Sequence, residues 1–387
     1  MCAALISAAT IGSFAKSAAA QSRSNPEEQR YDSIDGLRGL LAIGVYIHHC
    51  AFWYWYNKTG DWTPKNVPTL LTQLGPGSVA LFFMVTAFLF TSKFIKAGSE
   101  VDWLRLYVSR LFRILPLYYC ALGAVILLVI LISHDTLHGA LSLHMMGNVA
   151  QWATFFDYPD LNGVPNTRLM VAGTFWSLTY EWFFYLSLPL IALFMWRKVP
   201  LKWAISSVVA VSSFVAIVWR FHVPFYHLEF FVGGFIAAGM ASVPKWRAYL
   251  RTQSASIFIL LYVVATVKLM DLPLHIVSVL LLSVPFSVVA CGNSLFGLLT
   301  HSAARRLGEI SYGIFLFHGL VLYLVFRVFL AHGAASRLAL WQYWLLVLLL
   351  TPIVVILAQF AHTLIEQPAS KRVGSVTEAI RKSFPSL

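Results

Sequence analysis

Arg38 and His49 stand eleven residues apart in an otherwise apolar stretch that reads Asp35-Gly36-Leu37-Arg38-Gly39-Leu40-Leu41 and runs on to Ile47-His48-His49. On an α-helix that spacing is three turns, so the two share a face and lie about 16 Å apart along the axis. An acyl-CoA joins anionic phosphates to its thioester by a pantetheine arm of comparable reach. An arginine at a membrane edge suits the phosphates through charge-assisted hydrogen bonds, and an interior imidazole suits the base that takes the proton of an incoming hydroxyl. The plainer alternative makes Arg38 a topology anchor and His49 a satisfied interior histidine, although ionisable groups inside a span lean towards function.

Three further groups carry polar chemistry in apolar surroundings. Arg110 and Arg113, in Arg110-Leu111-Phe112-Arg113-Ile114-Leu115-Pro116, face one way at i and i+3 and would clamp a phosphate; taken alone, they read first as a topology anchor. Ser177, Glu181 and Tyr185 recur at i, i+4 and i+8 in the run Gly173–Tyr185 and form a polar line around a mid-span carboxylate. Such a carboxylate needs a cation or donor partner, and either orients a catalytic histidine or pairs with an arginine. Ser311 and His318 share a face in Leu307–His318, so His318 is expected to look into the same polar interior as His49. Glu229, near His227, is a further costly charge to which the sequence gives no role.

These groups must be positioned by membrane helices. Of 387 residues 59% are hydrophobic and only 11% charged, and the mean hydropathy is +0.73, a composition that one water-soluble core cannot hide. Apolar stretches near 36–56, 77–97, 114–133, 172–196, 203–219, 225–242, 254–270, 273–292, 309–331 and 339–363 read as long enough to span a bilayer, ten in all. With a cytoplasmic N-terminus, Lys and Arg divide 21 inside to 7 outside, which places both termini inside. The net charge of +12 is scattered between apolar runs, so nucleic acid is set aside as a partner. Cys2, Cys50, Cys120 and Cys291 form no CxxC pair or zinc-like spacing with histidine, and neither a disulfide framework nor a metal is expected.

The Ala/Ser-rich start, residues 1–30, reads as a disordered or over-extended N-terminus, with a cleaved signal as the lesser alternative. The longest outer connection, about 134–171, is rich in Trp, Phe, Asn and Asp and could hold a polar acceptor or cover a cavity. Two matching halves of the kind many transporters carry are not visible.

Taken in order, DGLRG…H, FFxxxAFL (Phe82, Phe83, Ala87, Phe88, Leu89), RLFRILP, FWSLTYEWFFY, LGEISYGIFLFH and EQP resemble the acyltransferase-3 family of polytopic membrane acyltransferases over about residues 31–372. The resemblance implies transfer of an acyl group, often acetyl, from acyl-CoA to a hydroxyl of a carbohydrate or other acceptor, with acyl-CoA as donor substrate and no bound cofactor. It maps His49 onto the family's essential histidine, Arg38 onto its arginine eleven residues earlier, Arg110 and Arg113 onto the pair linked to donor binding, and Glu181 onto the acid of the Trp-Ser-Leu segment. Asp35, Trp176, Ser177, Tyr185, Tyr312 and His318 are then acceptor-binding or supporting polar residues. Two departures stand out: Thr86-Ala87 where many members read Ser-Gly, and no C-terminal hydrolase-like domain, so that the chain would act alone or pass its acyl group to another protein.

The expected architecture is therefore all-α and polytopic, with about ten transmembrane helices, a membrane domain over 31–370 and a short cytoplasmic tail over 371–387. It would sit in the inner (plasma) membrane, its oligomeric state open. Whether an acyl-His49 forms is also open, with Cys50 a weaker candidate for a covalent carrier. The rivals are a transporter of a sugar- or lipid-linked substrate and a non-catalytic partner in polysaccharide assembly.

Overall fold

A bilayer gives the backbone no hydrogen-bonding partner, so apolar segments must satisfy their own N–H and C=O groups, which an α-helix does within one segment. The computed structural model describes residues 26–63, 67–96, 101–133, 143–195, 197–220, 226–269, 276–330 and 333–384, and every regular element among them is helical. Residues 1–25 of the expected disordered start and residues 134–142 of the outer connection lie outside the described residues.

Each of the ten apolar stretches coincides with a helix. These are α1 (Pro26–Thr59), α2 (Thr69–Lys96), α3 (Trp103–Ile132), then, after the short α4 (Leu143–Ala153), α5 (Trp176–Phe194) and α6 (Leu201–Arg220). They continue as α7 (Phe230–Ser242), the short α8 (Pro244–Leu250), α9 (Gln253–Leu269), α10 (Ile276–Ala290), the short α11 (Ser302–Glu309), α12 (Ser311–Tyr323), the short α13 (Ala334–Arg337) and α14 (Leu340–Ala361). Among the described residues five helical segments are long and apolar enough to cross a membrane, and a sixth if the pair His227–Ser242 and Pro244–Leu250, bent by 102°, is one broken span. The protein is a multi-pass membrane protein. Apolar parts of α6, α9 and α10 are shorter, and α1, with its His, Tyr and Trp, falls outside that group.

The chain divides into two compact units, residues 1–96 with 225–358 and residues 97–224 with 359–387. In the first unit α1 packs on α2, α11 and α12, while α2 packs on α7. The motif glycines explain the tightest of these contacts. A Cβ on Gly36 would stand 1.8 Å from the Leu299 carbonyl oxygen, and one on Gly308 1.9 Å from the Asp35 carbonyl oxygen. Only glycine lets backbones approach so closely, as is common where membrane helices pack. An Arg305–Asp32 ion pair at 3.1 Å fastens the same end. Farther along, Tyr343 donates to the Cys50 carbonyl at 2.6 Å and Tyr46 to the Val347 carbonyl at 3.2 Å, tying α1 to α14 within one apolar cluster. The departure at Thr86-Ala87 falls at the α2–α7 contact, where fully buried Ala87 lies against Gly234.

In the second unit α5 packs on α6, and the Ser207 hydroxyl donates to the Leu186 carbonyl at 2.6 Å. The stretch expected as a tail is helical in α16 (Val373–Ser383), which packs on α3 together with the preceding α15 (Gln367–Lys371). Arg381 meets Asp102 at 2.7 Å, and Asp102 also caps α3 by accepting from the Arg105 N–H. Burial raises the Asp102 pKa, but the Arg381 guanidinium, the Arg105 N–H and both positive charges outweigh it and hold the carboxyl below its ordinary value. The described part of the outer connection is knitted to itself. Trp152 Nε1 donates to the Pro159 carbonyl at 2.8 Å, Tyr158 to the Phe175 carbonyl at 2.9 Å, and the rings of Trp152, Phe155 and Phe175 are buried.

The glycine contact yields the first test. Gly308→Ala must push α11 away from the α1 backbone and is expected to destabilise the protein by about 1–3 kcal/mol. Gly374→Ala, in α16 with open space around it, is the control and should leave stability unchanged or slightly raised. Thermal unfolding of the purified protein in detergent, followed by tryptophan fluorescence, checks both.

Candidate active site

Three imidazoles meet in the first unit, two from α1 and one from α12. His318 is fully buried, His48 is nearly so, and His49 keeps partial exposure. Their proton positions follow from their partners, because a carbonyl oxygen can only accept. His48 Nδ1 lies 2.8 Å from the Leu71 oxygen, His49 Nδ1 3.0 Å from the Val45 oxygen, and His318 Nδ1 2.9 Å from the Ile314 oxygen. Each ring therefore donates from Nδ1, and a neutral ring in that state keeps a lone pair on Nε2.

The three lone pairs face different surroundings. His318 Nε2 is 3.1 Å from His49 Nδ1 and is occupied by that contact. The His48 ring is covered by α2, for a Cβ on Gly75 would come within 2.5 Å of it. The third belongs to partly exposed His49, whose ring lies near-parallel to Trp62 at a centroid distance of 6.4 Å and edge-on to His48 at 4.9 Å. Trp62 stands just beyond the C-terminus of α1, where Gly60 at φ +74° closes the helix through its N–H bond to the Tyr56 carbonyl. Trp62 also packs edge-on against Trp53 and Tyr56. Among the described residues no group of three or more His, Cys, Asp or Glu is arranged to hold a metal ion.

Arg38, toward the other end of α1, is held by the motifs around it. One Nη lies 3.4 Å from Asp35 Oδ1 and the other donates to Ser311 Oγ at 3.2 Å. Asp35 and Ser311 thus aim the guanidinium, while in the same motif Glu309 pairs with Arg306. Tyr312, the next residue after Ser311, is half-buried. Ser311 and His318 thus meet Arg38 and His49 respectively. Cys50, weighed as an acyl carrier, is fully buried in the apolar cluster beside Tyr46 and Tyr343 and offers no accessible thiol.

The second unit holds the other polar group. Tyr185 donates to the Glu181 carboxylate, and both lie close enough to Arg110, beside Arg113, to act on its charge. Tyr107 donates to the Tyr185 carbonyl at 3.0 Å and stacks on Trp203 at 5.4 Å, which fixes this part of α5 against α3 and α6. Ser177 leaves the polar line expected of it: its hydroxyl turns back to the Thr174 carbonyl at 3.2 Å. The cause is local, since Ser177 lies in the first turn of α5, where a short hydroxyl competes for nearby backbone groups. Half-buried Trp176 packs edge-on against Tyr180. Glu229 closes a short 3-10 turn, Tyr226–Glu229, at the start of α7, an end that favours negative charge. The Glu366 of EQP pairs with His362 at 2.9 Å.

No spacing or motif in the sequence marks His48, Gly75 or Trp62 as part of the site. Adjacency to His49 is the available signal for the first, whereas nothing local marks Gly75 as the floor beneath an imidazole or Trp62 as its neighbour.

Comparison with known proteins agrees with this set of motifs. Residues 31–362 match a family model described as an acyltransferase domain, Acyl_transf_3. Nodulation protein 10 of Rhizobium leguminosarum bv. viciae is 29% identical over 192 residues, 47% of this chain, and the chain spans about half of that protein, 49%. ORF330 of Acidianus two-tailed virus, provisionally named an acetyltransferase, is 24% identical over 329 residues, 81% of this chain and 90% of its own length. No solved structure matches. With the family model covering most of its length, the chain belongs to the acyltransferase-3 family.

Proposed function

We propose that this protein is a membrane O-acyltransferase that moves an acyl group, acetyl in the simplest case, from acyl-CoA to a hydroxyl of a carbohydrate or other cell-envelope acceptor. The observation that carries the reading is the state of His49: its Nδ1 proton is spent on a backbone carbonyl, and of the three imidazoles it alone keeps partial exposure, its Nε2 lone pair unengaged among the described residues. That is the form a general base requires.

His49 Nε2 takes the proton of the acceptor hydroxyl as the oxygen attacks the thioester carbonyl. The carbon–sulfur bond then breaks, the CoA thiolate takes that proton from the imidazolium, and the products are an acyl ester and free CoA. An interior poor in water strengthens each electrostatic contact that holds the developing charge. Arg38, aimed by Asp35 and Ser311, and Arg110 and Arg113, flanked by Glu181 and Tyr185, offer guanidinium groups to the donor's phosphates. In this reading all ten helices span the inner membrane and both termini are cytoplasmic, the arrangement that the 21-to-7 division of basic residues supports.

Cells expressing the wild type and fed isotopically labelled acetate should contain an envelope glycan or lipid heavier by one labelled acetyl group, read by mass spectrometry. In His49→Ala cells with equal membrane-embedded protein that species should be lost, and loss of a general base lowers the rate about 10²–10⁴-fold. An active His49→Ala protein would sink the mechanism; substrate relocated without a mass change would favour transport. With purified protein, Arg113→Ala is expected to raise the KM for acyl-CoA about tenfold, corresponding to about 1.4 kcal/mol, and to change kcat little.

A further inference from the structure

We infer that His318 is a positioning residue for His49, one that sets which nitrogen of His49 carries the proton and steadies the charge His49 acquires. The inference rests on the proposed role of His49 as base and adds a second imidazole to it.

The geometry is a directed chain. The Ile314 carbonyl, one turn before His318 on α12, lies 2.9 Å from His318 Nδ1 and forces a proton onto that nitrogen. His318 is fully buried and edge-on to the Tyr46 ring at 6.2 Å, so packing also resists a ring flip. With Nδ1 donating, neutral His318 has only an acceptor at Nε2, and that acceptor lies 3.1 Å from His49 Nδ1. His49 Nδ1–H then points between two acceptors, the His318 lone pair and the Val45 carbonyl at 3.0 Å.

The opposite arrangement would reverse the chemistry. If His318 carried its proton on Nε2, it would donate to His49 Nδ1 and drive the His49 proton to Nε2, leaving the outward nitrogen a donor unable to act as a base. A free neutral histidine favours the Nε2–H form, so His49 gains from a partner that enforces the other. The Val45 carbonyl alone is a weaker guarantee, because it also serves the backbone of α1. When His49 Nε2 takes a proton, the positive charge is shared with Nδ1–H, and the His318 lone pair is a neutral acceptor already in place to bear it. No carboxylate is needed at that nitrogen, which is apt where an unpaired negative charge is costly.

Two substitutions separate this role from packing. His318→Phe keeps a ring but removes the acceptor; His318→Gln places an amide near the position of Nε2 and restores one. With purified protein in detergent and acyl-CoA as donor, His318→Phe is expected to lower kcat about 10- to 100-fold with the donor KM within twofold of wild type, and His318→Gln to recover at least a tenth of wild-type kcat. Wild-type kcat in folded His318→Phe overturns the inference while leaving an inactive His49→Ala, and so the role of His49, intact. So does a folded His318→Gln no more active than His318→Phe. Wild-type activity in His49→Ala removes the underlying reading instead. Should His318→Phe fail to fold, nitrogen-15 NMR of histidine-labelled wild type decides, with His49 assigned by its loss in His49→Ala. A pyridine-type resonance at His49 Nε2 and a pyrrole-type one at Nδ1 are expected, and the reverse overturns the inference.

Discussion

The close approach of α1 to the segment ahead of α12 sets everything else in the first unit. Asp35 and Gly36 lie backbone to backbone against Gly308 and Leu299, with no room for a Cβ at either glycine. Contacts then advance along both helices in the same direction, from Asp32 with Arg305 to Arg38 with Ser311 and on to His49 with His318, so the two run parallel. The first two pairs are each 273 residues apart and the histidine pair 269, so the order of contacts is the same along both segments. A shift of either helix by one residue would turn its polar side chains about 100° away and dissolve all of these pairs together.

That constraint gives the glycines a meaning that differs from the charged residues beside them. Arg38, Ser311 and the histidines offer chemistry, whereas Gly36, Gly39, Gly75 and Gly308 make room for it. Membrane helices gain little from hydrophobic association, since lipid is as apolar as leucine, so close van der Waals contact through small residues carries much of the specificity. The polar groups then satisfy one another by side-chain and backbone hydrogen bonds instead of by water. Imidazoles suit this setting well, because a neutral ring offers one donor and one acceptor without the cost of a buried charge.

The second unit applies the same economy to a cation. Glu181 accepts from Tyr185, and both act on the charge of Arg110 next to Arg113, so the hydrogen-bond partner given to the mid-span carboxylate is a tyrosine one turn along its own helix. The outer connection follows another logic. From sequence it could hold a polar acceptor or cover a cavity; in the structure the rings of Trp152 and Phe155 are buried, Trp152 edge-on against Phe175 and Phe155 against Tyr118. Aromatic residues near a membrane boundary serve folding as readily as recognition, and composition does not separate the two.

The sequence by itself determined the membrane class, the helical architecture, the position of each apolar helix and the membership that six ordered motifs announce. These follow from local quantities: apolar length against bilayer thickness, and residues three, four, seven or eleven apart on one helical face. It also placed Arg38, His49 and His318 among the polar residues worth following. Only the tertiary structure decided that His318 touches His49, that Ser311 serves Arg38 and that the last helices dock on α3. The physical reason is that a hydrogen bond is settled within a few tenths of an ångström and by the partner's own proton. For His49 that partner lies 269 residues away in the chain, beyond the reach of any local pattern.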